Sequence, residues 1–294
     1  MYDIQEYLTA TTVEEATALL AAHPDLTIIA GGTDVLIKMH HGQVAKARLL
    51  SIRGIQSLQG VRLLADGTIS IGPLTTFSRL ATDPVIQEHI PILAEAALSL
   101  GGPQIRNVAT IGGNICNGAT SADSAATLFA FNARLKLESS QGERVIPIQD
   151  FYLGPGRVDL QAGELLTAVS IAPEDYRGYS GRYIKFSQRR AMDIATLGVA
   201  VLCRLEAGGL LADVRIGLGV AGPAPLRCPP AEEYARGQKI TPETFAAIGR
   251  LAVSSTRART SWRASREYRE HLVGELTRRA LADAIARAGG PGSI

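Results

Sequence analysis

The 294-residue chain is long enough for two domains or three small ones, and its hydrophobic content of 46% is that of a globular protein. Thirty Lys and Arg against 28 Asp and Glu leave a net charge of +2, which argues against general binding of nucleic acid or other polyanions. Cys116, Cys203 and Cys228 are widely separated, with no CxxC pair or disulfide framework, so no zinc or iron–sulfur ligand set is expected and a reduced, intracellular setting fits.

Tyr2 to Leu8 reads as a short strand, and Thr12 with Glu15 gives capping-box spacing for a helix carrying Val13, Ala16, Leu19 and Leu20. His23-Pro24 ends it. The apolar run Leu26 to Ala30 predicts a buried strand delivering Gly31 and Gly32 at its C-terminal end, where α/β folds hold ligands. This β-α-β unit lacks GxGxxG, which disfavours an ordinary Rossmann dinucleotide site. A strand over Arg48 to Ile52 completes a first domain, residues 1–55.

From residue 56 the character changes to α+β. Val61 to Leu64 and Thr68 to Ile71 flank Ala65-Asp66-Gly67 as a hairpin, and Thr76 to Ala81 and Pro91 to Leu100 have helical composition. Gly101-Gly102-Pro103 stops the second of these. A long loop, Thr110 to Asp123, leads to a helical run at Ala125 to Phe131; Ala133 to Glu138 and Arg144 to Ile148 form a hairpin around Gln141-Gly142, and Leu165 to Ile171 closes a middle domain, 56–175. Pro173 to Gly181 is the expected linker. A third domain, 182–290, begins with antiparallel strands at Tyr183 to Ser187, Leu197 to Leu205 and Leu210 to Val220, followed by helices at Thr241 to Ser254 and Ala264 to Ala288 and a Gly-Gly-Pro-Gly tail expected to fray. Its arginines, Arg257, Arg259, Arg263, Arg266, Arg269, Arg278 and Arg279, alternate with apolar and acidic residues and read as a solvated helix face or a subunit contact. No basic segment followed by an apolar core opens the chain and no apolar run reaches membrane-spanning length, which predicts a cytoplasmic protein without a membrane span.

Two stretches have the composition of ligand loops. Ala30-Gly31-Gly32-Thr33-Asp34 is one, although an ordinary strand-to-helix turn explains it equally well. The other is denser: Gly112, Gly113, Asn114, Asn117 and Gly118 lie within a few residues, and Asp123 is suited to accept hydrogen bonds from sugar hydroxyls. Glycine pairs let main-chain N–H groups approach an anion, so two such loops point to one elongated, phosphorylated ligand. Lys185, Arg189, Arg190 and Asp193 form a charged segment that composition alone assigns to an exposed loop. His40 and His41 are consecutive, diverge by about 100° on a helix and make a poor metal pair. No metal site and no acid/base or nucleophilic set is expected; Cys116 is read as a half-buried loop residue.

Ala30 to Asp34, the run Gly102-Pro103-Gln104-Ile105-Arg106-Asn107-Val108-Ala109, Thr110 to Asn114 and Gly118 to Asp123 resemble the two FAD-binding motifs of the flavoprotein subunit of molybdenum hydroxylases. The resemblance extends to Arg263-Ala264-Ser265-Arg266-Glu267-Tyr268-Arg269 and so covers nearly the whole chain, with bacterial xanthine dehydrogenases as the nearest branch. It implies an FAD fold of the vanillyl-alcohol-oxidase and CO dehydrogenase flavoprotein type, with a C-terminal domain of antiparallel sheet plus helices. FAD would lie between the first two domains, its pyrophosphate against main-chain N–H groups of Gly31, Gly32, Thr33, Gly112 and Gly113, with no lysine required. Ala30, Asp34, Val35, Thr110, Ile111, Asn117 and Ser121 would complete that wall, with Asn114 and Asp123 as polar side-chain contacts. Lys185 would contact the flavin ring and Asp193 would tune its electrostatics or NAD access. Ile71 to Leu74 and Val158 to Leu160, including Leu160, would bring apolar groups to the ring, or pack in the core.

By the same resemblance the subunit would pass electrons from partner [2Fe-2S] clusters through FAD to NAD. Molybdopterin would sit on a large subunit and the clusters on a small one, in a heterohexamer of two heterotrimers. No cysteine-containing insertion interrupts the middle domain, which favours the xanthine type over the aromatic acyl-CoA branch but not over carbon monoxide, aldehyde or nicotinate hydroxylases. A self-sufficient FAD oxidase and a non-enzymatic nucleotide-binding assembly module are the competing classes.

Overall fold

The computed structural model describes residues 2–206 and 208–290 and has three main sheets, each with its own helical cover, and a small two-stranded one. The first is parallel: β1 (Ile4–Thr9), α1 (Val13–Ala22), β2 (Thr27–Ile29), α2 (Val35–His40) and β3 (Ala47–Ser51), in strand order β1-β3-β2. Strand β3 enters between the two earlier strands, so β1 and β2 do not pair. Thr12 caps α1 by accepting the Glu15 N–H at 3.1 Å, while the Glu15 carboxylate accepts the N–H of Thr11, one residue earlier than a standard capping box. Leu20, Leu26, Leu50 and Ile52 fill the small core beneath.

The second sheet is antiparallel, in order β4-β5-β10-β6-β7. Its elements run β4 (Val61–Leu63), β5 (Ile69–Ile71), α3 (Phe77–Thr82), α4 (Pro84–His89), α5 (Pro91–Ser99), α6 (Pro103–Arg106), α7 (Ile111–Cys116) and α8 (Asp123–Ala130). They continue through β6 (Arg134–Ser139), β7 (Gly142–Pro147), α9 (Ile148–Phe151), β8 (Tyr152–Gly154), β9 (Arg157–Val158), β10 (Leu165–Ile171) and α10 (Pro173–Tyr176). Three features depart from the sequence reading. Residues 111–116 are a helix and not part of a loop, because Ile111 and Ile115, four apart, both reach the core and Thr110 caps the first turn. Helix α4 was not expected; Asp83 caps it at the Val85 N–H, 3.0 Å away, and Pro84 starts it. The expected linker is a packed joint: Tyr176 is buried with its hydroxyl donating to Gly67 O at 2.7 Å, Tyr179 donates to Asp213 at 2.5 Å, and Asp175 pairs with Arg215 at 2.8 Å. Opposite charges that suggest solvent exposure in sequence here neutralise one another across the joint.

The third sheet is a meander of β11 (Ser180–Phe186), β12 (Leu197–Leu205), β13 (Leu211–Gly219) and β14 (Leu226–Arg227), followed by α11 (Pro229–Ala235), α12 (Pro242–Ser254) and α13 (Arg266–Arg287). Strand β12 is buried over seven consecutive residues, Leu197 to Cys203, because helices cover both faces: α13 and its neighbours on one side and α8 on the other, with α5 over the adjacent β11. Continuous apolar sequence is what two-sided burial requires. Tyr183, Ala200 and Leu202 accordingly join the core of the middle unit, while Val199, Val201 and Cys203 point to the helical layer. Of the tail expected to fray, Gly289 and Gly290 close α13, with Gly290 N–H donating to Ile285 O at 3.0 Å; Pro291 and Gly292 lie outside the described residues. Among the described residues no helix is long and apolar enough to cross a membrane and no group of metal-ligating side chains converges.

Candidate cofactor site

A cavity of about 750 Å³ opens where the three units meet, within the range of about 300–1,000 Å³ that holds small molecules and cofactors. Ala30 through Val35 form one wall. Thr110, Gly112, Gly113, Asn114 and Asn117 form a second, with Ser121 and Asp123 at the entry to α8 beside them. Leu160 comes from the loop after β9, Pro73 and Leu74 from the turn after β5, and Asp193 from the segment before β12. Two sequence-predicted residues do not line it: Ile111 is fully buried in the core, and Lys185 stands behind Asp123. Ile71 is likewise core, and Val158 packs against the core beside it.

The two glycine pairs are alike in part. The first glycine of each is a close-packing position: a Cβ on Gly31 would stand 2.0 Å from Val108 O, and one on Gly112 would stand 2.5 Å from Pro73 Cβ. The second glycines differ: a Cβ on Gly32 would meet the side chains of Leu36, at 3.3 Å, and Ile29, at 3.5 Å. Gly32 has φ +76°, a left-handed conformation that an L side chain adopts only with strain, and a Cβ on Gly113 would meet only Thr110 Oγ1, at 3.1 Å, with open cavity beyond.

Their N–H groups differ. Those of Gly31, Gly32, Thr33 and Asp34 have no protein acceptor among the described residues, and four successive free N–H groups around a left-handed glycine make an anion nest. At α7 the corresponding groups are committed: Ile111 N–H donates to Thr75 O (3.0 Å), Gly112 N–H to Pro73 O (2.8 Å), Gly113 N–H to Thr110 Oγ1 (3.2 Å) and Asn114 N–H to Thr110 O (3.0 Å). Gly112 and Gly113, expected to offer N–H groups to a phosphate, thus have theirs engaged within the protein, whereas the N–H groups without a protein acceptor among the described residues lie at 31–34.

Lys38 is the residue that sequence reading missed. It lines the cavity, and its ammonium donates to Asn117 Oδ1 at 2.6 Å, tying α2 to the end of α7. Its signal was available: Lys38 follows Asp34 by four residues and so shares that residue's helix face. Burial pushes the Asp34 carboxyl up, opposed by the Lys38 charge. The other acidic groups of the wall are satisfied within the protein. Glu164 is held by Arg144, whose guanidinium donates to both carboxylate oxygens (2.6 and 2.8 Å) and to Asp159 O, fixing the loop that carries Leu160. That fork holds Glu164 below the usual carboxylate range. Asp193 feels some upward push from desolvation, yet N–H groups of Arg189 and Ile194, both at 2.9 Å, keep it low.

Asp123 is the buried acid of the site. Lys185 Nζ lies 3.0 Å from it and also donates to Ser99 O, and Tyr183 OH donates at 3.3 Å. Burial raises the Asp123 pKa while Lys185 works against the rise. Burial, followed by the Asp123 charge, raises Tyr183 well above its ordinary value. Lys185, expected beside a flavin ring, forms a buried ion pair with Asp123, with both side chains 8% exposed. Beyond that pair a smaller recess of about 340 Å³ is lined by Lys185, Gln188, Arg189, Arg190 and Asp193, and Asp193 borders both spaces. Cys116 also lines the main cavity, with its thiol pushed up to about 12 by burial, which leaves it unreactive.

A nest of free N–H groups with a lysine beside it, apolar walls at Leu74 and Leu160 and a cavity of this volume suit a large phosphorylated cofactor. Comparison with known proteins identifies the class. Residues 2–174 match the FAD binding domain in molybdopterin dehydrogenase and residues 182–284 match the CO dehydrogenase flavoprotein C-terminal domain. The chain belongs to the FAD-binding subunits of the molybdenum hydroxylase family. Within it, the chain is 42% identical over 290 residues, covering 99% of both proteins, to the xanthine dehydrogenase FAD-binding subunit of Escherichia coli O157:H7. Carbon monoxide dehydrogenase from Hydrogenophaga pseudoflava superposes with a TM-score of 0.92 at 31% identity, covering 98% of this chain and 99% of that one. Quinoline 2-oxidoreductase from Pseudomonas putida 86 superposes with a TM-score of 0.91 at 26% identity over the full length of both.

Proposed function

We propose that this chain is the FAD-carrying electron-transfer subunit of a molybdenum hydroxylase of the xanthine dehydrogenase type. The observation that carries this is the nest at Gly31 to Asp34, which presents four unpartnered N–H groups to a cofactor-sized cavity. These groups bind the pyrophosphate of FAD, with Lys38 supplying the positive charge and Gly113 leaving the path clear. Ala30, Thr33, Val35, Thr110, Asn114, Asn117 and Ser121 complete the polar wall, and Leu160 supports the ring. Bound FAD supplies the one- and two-electron chemistry. The residues of this chain position it, exclude water and set polarity, and the Lys185–Asp123 pair fixes a compensated charge at the wall.

The electron donors are [2Fe-2S] clusters on a small subunit and the substrate reacts at molybdopterin on a large subunit, the three chains forming a heterotrimer that doubles to a hexamer in the cytoplasm. The acceptor is NAD, approaching through the recess lined by Lys185, Arg189, Arg190 and Asp193. Likeness to a xanthine dehydrogenase subunit over essentially the full chain supports the purine branch. The test is the purified complex. Yellow flavin absorbance in this subunit and NAD reduction dependent on a purine substrate are the expected results; a colourless subunit that FAD does not reconstitute would overturn the cofactor assignment, and flavin without NAD reduction would overturn the acceptor.

A further inference from the structure

Outside the cavity, one place in the fold is electrostatically incomplete. Arg269, on the first turn of α13, is only 2% exposed, yet no carboxylate among the described residues pairs with it. Its guanidinium donates to Thr196 O and to Ser261 Oγ (2.8 Å), and its Nε has no partner. Arg263 has a second buried Nε without a partner. Arg259, exposed and unpaired among the described residues, completes a group of three guanidinium ions, and desolvation together with repulsion from Arg259 and Arg263 pushes Arg269 down. A buried, uncompensated charge costs several kcal/mol unless something neutralises it.

The same loop carries the most exposed large apolar side chain of the described protein. Trp262 is 77% exposed, with the Arg263 guanidinium over its ring at 4.1 Å from the centroid, and Tyr268, 44% exposed, follows in the first turn of α13. Exposed Trp, Tyr and Arg together have the composition of an interface hot spot. From Thr256 to Arg266 there are four arginines and no acidic residue. Gln188 donates to Arg263 O at 3.2 Å, so this surface is joined to the wall of the smaller recess.

We infer that the loop Thr256 to Ser265, with Trp262 and the Arg259, Arg263 and Arg269 group, is a docking surface for a partner subunit that presents a carboxylate cluster beside an apolar pocket for the indole ring. Charge complementarity selects the occupant: an acidic partner pairs with the exposed Arg259 guanidinium and offsets the field of the partly buried Arg263 and the buried Arg269, and a folded protein surface covers the tryptophan. The inference rests on the assignment of the chain to a multi-subunit hydroxylase.

The experiment uses the complex assembled from the full chain and its partner subunits, with Trp262→Ala, Arg259→Glu and Arg259→Lys. Both altered side chains are solvent-exposed, so the variants should fold and keep wild-type flavin content. Association with the partner subunits, followed by size-exclusion chromatography with titration, is expected to weaken at least about tenfold for Trp262→Ala and Arg259→Glu, to be largely retained by Arg259→Lys, and to weaken with added salt. If wild-type chain assembles and both disruptive variants assemble equally well, the docking surface is overturned and the hydroxylase assignment stands. The surface is likewise overturned if the variants change only self-association, or only the KM for NAD. If wild-type chain binds no iron–sulfur or molybdopterin subunit at all, the assignment itself fails and the docking surface with it.

Discussion

Gly31-Gly32 and Gly112-Gly113 are alike in sequence, and both pairs put their first glycine against the backbone or ring of a neighbour. Their surroundings separate them. The first pair sits in an open loop after a strand, where nothing among the described residues takes its N–H groups; the second sits in the first turn of a helix whose N–H groups are already engaged by Thr110, Thr75 and Pro73. One pair leaves its donors free among the described residues; the other has them engaged. A glycine-rich motif therefore does not by itself identify an anion site: the donors must also be free.

Five changes probe the site, the first of them at the pair on its buried acid. The largest effect is expected at Asp123, where the second segment ends. Lys185→Met removes the cation from a carboxylate that stays buried, and unfolding by denaturant should show a loss of about 3–5 kcal/mol; a loss below about 1 kcal/mol would mean that Asp123 is solvated or protonated without its partner. Gly113→Val places two methyl groups in the cavity at a cost of roughly 1–3 kcal/mol. FAD titration should then show ten- to hundredfold weaker binding, with far-UV circular dichroism unchanged.

Smaller effects separate the two pairs more finely. Gly32→Ala forces a Cβ into a left-handed conformation for about 1 kcal/mol, and it should reduce FAD affinity because it distorts the nest. Thr110→Val removes a helix cap worth about 1 kcal/mol. It should lower thermal stability by a similar amount and, because Thr110 also lines the cavity, weaken FAD binding less than Gly32→Ala does; a larger loss of affinity than at Gly32 would return the phosphate to α7. The last effect is one of pH. Glu164 is depressed in the folded protein by Arg144, so its contribution is complete above the unfolded carboxylate value of about 4.3 and is lost as pH falls through its lower folded value. Acidification through that window should loosen the loop carrying Leu160 and release FAD, and Glu164→Gln should already be loosened at neutral pH and show less further change.

Much of this was legible in the sequence. The strands β10 and β12 and the helices α12 and α13 follow directly from their apolar runs and periodicity, and the ligand loops from their composition. The misreadings have a common cause. Helix α7 looks like a loop because its glycines and asparagines dominate the composition, whereas the two residues that decide its fate, Ile111 and Ile115, are fixed by a core that only tertiary structure reveals. Lys185 and Arg144 look like surface charges, yet each is committed to a carboxylate from a distant part of the chain, 62 and 20 residues away respectively. Pairing across such separations leaves no local signal.

The assignment of the phosphate to the loop at 31–34 is most directly tested by amide hydrogen exchange of the full chain with and without FAD. The amides of Gly31, Gly32, Thr33 and Asp34 should exchange rapidly in the apoprotein and become protected when FAD binds, while those of Gly112 and Gly113 stay protected in both states. Protection at 31–34 that does not change on FAD binding, or a gain of protection confined to Gly112 and Gly113, would contradict it.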